Sequence, residues 1–190
     1  MTQGMEAVLR SMGMAEPDIG PFLGRFKIAY FEKNQNLVSV ADSEVPVVFV
    51  NSGVFVESVT DSDGREFIHS FYGPGGFVSC MFRWGRRSQS NIVCLKKACV
   101  SVFDGKPDEL PVLFSQLTGN GGVGMIDESV NRCLLEVHAR LEEFATLDAA
   151  DRYRIFKDRY ASLENEIPLH LTAAYIGVTP TQLSRIRNKI

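Results

Sequence analysis

The strongest constraint on the fold is a change of hydrophobic period part-way along the chain. Between Phe26 and Phe103 the apolar residues come in short runs: RFKIAYF (25–31), LVSV (37–40), PVVFV (46–50), GVFVESVT (53–60), REFIHSFY (65–72), SNIVCL (90–95) and ACVSVF (98–103). The runs are rich in Val, Ile and Phe, and clusters of Gly, Pro, Asn and Asp separate them, the pattern of strands joined by tight turns. Asp61-Ser62-Asp63-Gly64 reads as a hairpin turn in which glycine supplies a positive φ. Seven or eight such strands predict a sandwich or a β-roll. Before them, residues 5–16 are expected to form a short helix that ends ahead of Pro17.

From Asp108 onward the signals are helical. DELPVLFSQLT (108–118) predicts a short helix, and GNGGVG (119–124) a break. Val130, Leu134, Val137, Leu141 and Phe144 then recur at spacings of four, three, four and three, a heptad-like seam over four turns. So narrow a seam, with Arg140, Glu142 and Glu143 elsewhere on the helix, suits pairing with a second helix; packing on the chain's own β domain is the alternative. Asp148 is a good N-cap for a further helix carrying Tyr153, Phe156, Tyr160 and Leu163 on one face and ending before Pro168. The division expected is an α+β chain: residues 1–124 a β domain, 125–146 a pairing helix and 147–190 a small all-helical domain.

The charge is unevenly placed. The chain carries a formal charge of −3, yet residues 169–190 hold three cations and no acid, against a net of −6 over the rest. Such asymmetry points to a tail facing a polyanion. With Gly177 as a turn between two short helices, Ala173 is small where the helices cross, and Ile176 and Val178 flank the turn. Leu183, Ile186 and Ile190 then face inward. Thr179, Pro180 and Gln182 supply a cap, a first helical position and a capping box. This is a helix-turn-helix arrangement. Its outward stripe is Thr181, Ser184, Arg185 and Asn188, with Gln182, Arg187 and Lys189 beside it. Arg can bridge guanine O6 and N7, Asn and Gln can read adenine, and the flanking cations can neutralise phosphates.

Taken in order, these parts resemble the Crp/Fnr family of bacterial transcription regulators over residues 20–190. The segments that carry the resemblance are DGREFIHSFYGPGGFVSC (63–80) and DRYRIFKDRYASLENEIPLHLTAAYIGVTPTQLSRIRNKI (151–190). The resemblance implies a β-roll sensor (a jelly-roll-like double-stranded β-helix), a dimerisation helix, and a helix-turn-helix with no clear β-wing. It implies a cytoplasmic homodimer on a palindromic duplex, with RNA polymerase a further candidate partner, and places Arg185 at the central base- or phosphate-contacting position. It also locates an effector pocket at Gly75, Phe77, Ser79, Cys80, Arg87 and Ser88. Nucleotide-binding members carry Pro-Gly-x-Phe-x-Gly-Glu and then Arg-Ser/Thr-Ala. Here Ser79 and Cys80 stand where Gly-Glu would be, and Gln89 replaces the Ala. Losing the ribose-binding carboxylate removes about 1.5–3 kcal/mol, roughly ten- to a hundred-fold in affinity. A small-molecule effector other than cyclic AMP, or a vestigial pocket, is therefore expected.

Other chemistries fare poorly. No Cys precedes Cys80, which excludes an N-terminal cluster for iron–sulfur ligation. His69, His138 and His170 are isolated, so neither haem nor a cupin-type metal enzyme is expected. GxSxG and P-loop patterns are absent, and no catalytic or metal-binding residue is assigned. Cys80, Cys94, Cys99 and Cys133 read as reduced, mostly buried thiols of a cytoplasmic protein. RWGRR (83–87) reads as a solvated loop with Trp84 packed on the roll, an anion-binding loop being the alternative. The rival function is a ligand-binding roll whose helix-turn-helix makes protein contacts only.

Overall fold

The computed structural model describes residues 3–11, 13–40, 42, 45–78, 90–106, 109–118 and 121–190, with backbone alone at 3, 111, 114, 115, 117, 118, 121–130, 132 and 133. Ser79, Cys80, Arg87, Ser88 and RWGRR therefore lie outside the described residues, as does the side chain of Val130.

Two helices open the chain, where one was expected. Helix α1 (Gln3–Ser11) stops five residues short of Glu16, and α2 (Glu16–Leu23) begins at Glu16 with Pro17 in its first turn. Proline lacks an N–H that the first helical turn cannot use, so the residue read as a stop serves as a start. Met5, Leu9, Met14, Ile19 and Phe22 of this pair bury against Phe49 and Phe103, closing one end of the sheet.

The strands are β1 (Phe26–Phe31), β2 (Asn36–Val38), β3 (Val48–Thr60), β4 (Glu66–Tyr72), β5 (Phe77–Val78) and β6 (Asn91–Phe103). They form one antiparallel sheet in the order β1-β6-β3-β4, with β2 on β6 and β5 on β3. Among the described residues there are six strands: PVVFV and GVFVESVT merge into β3, SNIVCL and ACVSVF merge into β6, and Phe77–Val78 adds β5. The β3–β6 register shifts near Ser52 and Val54, and a Cβ on Gly53 would sit 2.5 Å from the Ala98 Cβ. The glycine marks a bulge where two backbones approach closely, not a strand end. The hairpin turn forms as expected: Asp61 Oδ1 accepts the N–H groups of Asp63 and Arg65, each at 2.9 Å.

Period two gives the long strands two apolar faces. Val38, Val50, Phe55, Ile92, Cys94 and Val100 fill the inside of the roll. Val54, Val56, Ile68 and Phe71 face the other way. This α+β arrangement is the β-roll with appended helices.

Helix α3 (Glu109–Thr118) packs on α4 (Gly121–Thr146). The latter begins four residues earlier than the expected 125. Glycine costs about 1 kcal/mol in a helix, a penalty that propagation from an established helix absorbs more readily than nucleation does. Leu134, Val137, Leu141 and Phe144 are 45–65% exposed, so the seam is not used against the chain's own roll. Helix α5 (Ala149–Arg159) is capped by Asp148, whose carboxylate accepts from Ala150 and Asp151 N–H at 2.8 and 2.9 Å. Helices α6 (Leu169–Ile176) and α7 (Pro180–Arg187) complete the chain. Among the described residues no helix is long and apolar enough to cross a membrane.

Candidate nucleic-acid interface

The α6–α7 corner is built by local chemistry. Gly177 is left-handed at φ +73°; its N–H donates to the Ala174 carbonyl at 3.2 Å, and the Val178 N–H to the Ala173 carbonyl at 2.9 Å. This Schellman pairing satisfies the carbonyls that α6 leaves open, and at this φ a side chain is strained. There is also no room: a Cβ there would lie 2.7 Å from Phe144 Cε1. Helix α7 then starts on a complete capping box. Thr179 Oγ1 accepts the Gln182 N–H at 3.2 Å, and Gln182 Oε1 accepts the Thr179 N–H at 2.9 Å, a device worth about 1 kcal/mol.

Ala173 and Leu183 are fully buried, Ile176 is 1% exposed and Ile186 half-buried, as the spacing requires. Ile190 departs from the expectation and is 52% exposed. The helix ends at Arg187, so the helical period no longer sets its direction. Thr181, Gln182, Ser184, Arg185, Arg187, Asn188 and Lys189 are all exposed. They form one surface around α7 with no acidic residue of its own, and Arg187, at its edge, also lines a small pocket with Tyr153 and Glu164. Arg187 is also near enough to Tyr153 of α5 for its charge and hydrogen bond to counter the rise that burial imposes on the Tyr153 pKa.

Beneath this surface the helical domain shares a core with the roll. Phe71 of β4 meets the rings of Phe156, Tyr160 and Tyr175 at centroid distances of 6.1, 5.3 and 5.7 Å. The Tyr160 hydroxyl pairs with Ser70 Oγ at 3.3 Å, and Lys96 Nζ reaches Glu166 at 2.6 Å. On the α4 side, Arg159 donates to the buried Glu143 and, at 2.7 Å, to the Tyr175 hydroxyl. Burial pulls the Arg159 pKa down, but its bonds to Glu143 and Tyr175 outweigh that and hold it above the ordinary value. Burial raises that of Tyr175, so both keep their protons throughout the neutral range. Sequence reasoning missed this junction: it placed Glu143 off the seam of the pairing helix and gave it no partner.

On the sensor side, Phe77 packs edge-on against Phe49 at 5.0 Å, on the side of the α1–α2 cluster. Gly75 lies in the turn ahead of β5, its N–H bonded to the Val50 carbonyl at 2.9 Å. The roll also holds a buried carboxylate that the sequence reading passed over. Glu57 is 4% exposed and accepts from the Tyr72 hydroxyl and Ser90 Oγ, each at 2.6 Å. His69 Nδ1 stands 4.0 Å from it. Its position in the alternation of β3, in step with Phe55, was the available signal. Cys94 and Cys99 are buried, while Cys80 and the side chain of Cys133 lie outside the described residues.

Comparison with known proteins gives a consistent answer. No family profile and no curated protein matches the chain by sequence. Solved structures match along almost its full length. The c-di-GMP responsive global regulator CLP of Xanthomonas campestris superposes with a TM-score of 0.69 at 17% identity, covering 92% of this chain and 91% of its own. FixK2 from Bradyrhizobium japonicum gives 0.72 at 14% identity over 86% and 83%. The Thermus thermophilus catabolite activator protein gives 0.60 at 16% identity over 96% and 85%. The fold is Crp/Fnr-like. In that frame the β-roll is the cyclic-nucleotide-binding-like unit, and α4 is the long helix that joins it to the helix-turn-helix. At identities this low, it is the Crp/Fnr-like fold that is shared.

Proposed function

We propose that this chain is a sequence-specific DNA-binding transcription regulator of the Crp/Fnr type, acting in the cytoplasm as a homodimer. The observation that carries the reading is the surface of α7 and its C-terminal end: seven exposed polar or cationic residues and no acid among them, five on a helix fixed by its own capping box and two just past its end. Arg185 and Asn188 are assigned base edges, with Thr181, Gln182 and Ser184 beside them; Arg187 and Lys189 are assigned phosphates. Pairing is assigned to the seam Val130, Leu134, Val137, Leu141 and Phe144, and the exposure of Leu134, Val137 and Leu141 on α4 supports it. A two-fold dimer then presents two α7 helices to a palindrome whose half-sites lie about one DNA turn, roughly 34 Å, apart.

The roll is assigned a small-molecule effector other than cyclic AMP, because Ser79 and Cys80 replace the Gly-Glu pair that holds the ribose. The effector would act by population shift, favouring one arrangement of the paired helices.

The deciding experiment is selection of bound duplexes from a random pool with wild type and Arg185→Ala in parallel, repeated with cyclic nucleotides and with cell extract. A palindrome enriched by wild type, with Arg185→Ala losing about 1–3 kcal/mol of discrimination at one position, is expected. Absence of enrichment under every condition would overturn the reading in favour of a helix-turn-helix that contacts protein only. Affinity for a selected site should also fall with salt, at a log–log slope near −0.9 per neutralised phosphate.

A further inference from the structure

Where the C-terminal turns of α4 meet the helical domain, one guanidinium ties α4 to two other elements. Arg140 lies flat on the Tyr175 ring of α6, its guanidinium carbon 3.5 Å from the centroid. Its Nη2 donates to the Tyr175 carbonyl at 3.1 Å and to the Ile68 carbonyl of β4 at 3.4 Å. One turn further on, Glu143 pairs with Arg159, and the Phe144 ring sits against the Gly177 turn between Arg140 and Arg152, at 5.1 and 5.0 Å. Arg152 Nε in turn donates to the Ile176 carbonyl at 2.9 Å. Two arginines thus bond carbonyls in the last turn of α6, where a cation also suits the negative end of the helix dipole. Arg140 is the one of the two that also reaches the roll.

We propose that Arg140 is a positioning residue for DNA reading: it fixes the angle between the pairing helix α4 and the unit formed by β4 and α6–α7, and so the separation of the two reading helices in a dimer. The inference rests on the regulator reading above. It needs no contact between Arg140 and DNA, for the side chain is half-buried beneath the head. Lysine keeps the charge but lacks the planar stacking face and the fork of directed donors. Arg140→Lys therefore loosens the angle without leaving a neutral hole.

Two measurements test this. The first is hydrogen exchange of DNA-free wild type and Arg140→Lys. Amides of residues 139–146 and 173–178 are expected to exchange about tenfold faster or more in the variant, the range set by one lost charge-assisted bond. Amides in the centre of β6 should be unchanged. Equal exchange in both segments would overturn the proposal. The second is affinity for duplexes carrying the selected half-sites at the preferred spacing and at one base pair more and less. Wild type should prefer one spacing by about tenfold, and Arg140→Lys should flatten that preference with its salt slope intact. A fold defect alone lowers the active fraction and leaves the ratio where it was, so an unchanged ratio would also overturn the proposal. Should wild type bind no duplex at any spacing, the regulator reading fails, and the exchange result alone decides whether Arg140 fixes the junction.

Discussion

The docking of the helical domain on the roll can be tested by a swap of size at one contact. Gly73 follows β4, and a Cβ added there would lie 2.5 and 2.9 Å from the two terminal methyls of Leu163. Leu163 is 6% exposed and has little room to yield. Gly73→Ala should destabilise by about 1–3 kcal/mol, the usual cost of overpacking. Leu163→Ala removes those methyls and should cost about 2–5 kcal/mol. Combined, the new methyl occupies part of the vacated space. The double variant should then be more stable than the sum of the single effects by at least about 1 kcal/mol. Urea unfolding followed by circular dichroism gives the four stabilities, at one fixed protein concentration because dimerisation would shift them. Strict additivity would refute the contact, and with it the shared core, since residues that do not touch do not couple.

Three further outcomes follow from the geometry. Leu141→Glu, at the most exposed of the described seam side chains (65%), should convert a dimer to a monomer in sedimentation and remove the concentration dependence of Tm. Phe71→Ala, which strips the ring shared by Phe156, Tyr160 and Tyr175, should cost about 3–5 kcal/mol while leaving a single unfolding transition. Backbone N–H groups of Asp151 and then Ala150 hold the Asp148 carboxyl below its ordinary value of 3.8. The cap's contribution is therefore complete above that pH and is lost as pH falls through the lower, folded-state pKa. Asp148→Asn should flatten the acid limb of a stability–pH curve measured below pH 4 and leave the neutral region alone.

What was legible in the sequence was whatever rests on local rules. The capping box of Thr179 and Gln182, the left-handed Gly177 and the burial of Ala173 and Leu183 are each decided within a few residues, and each formed as read. The errors share one cause, the treatment of a local breaker as a boundary. Pro17 starts α2 because a first turn has no use for the missing N–H, propagation of α4 absorbs the cost of Gly121 and Gly122, and Gly53 bends β3 where the distant Ala98 backbone closes on it. Tertiary pairing was harder still to see. Ile68 and Phe71 stand three apart across a register shift, and nothing near them says that helices more than 80 residues away will cover them. Arg140 likewise shows in the sequence only as a residue off the seam, because its partners, Ile68 and Tyr175, are 72 and 35 residues away.

The shared core also limits how such a molecule can switch. Swinging the helical domain free would expose Val54, Val56, Ile68 and Phe71 on the roll and Tyr160, Leu163, Ile167 and Tyr175 on the head. At about 1.5–3 kcal/mol for each large apolar side chain, the total exceeds about 10 kcal/mol. An effector that takes a two-state equilibrium from 1:99 to 99:1 needs only about 5.5 kcal/mol of differential affinity, far too little to separate these surfaces. Roll and head must therefore move as one body, and the element left to move against is α4. The junction there is polar, made of directed bonds from Arg140, Arg152 and Arg159 in place of a deep apolar seam. Bonds of that kind exchange one partner for another at a cost of about 1 kcal/mol each, within reach of a bound small molecule. On the regulator reading, the coordinate open to an effector is accordingly the angle at Arg140.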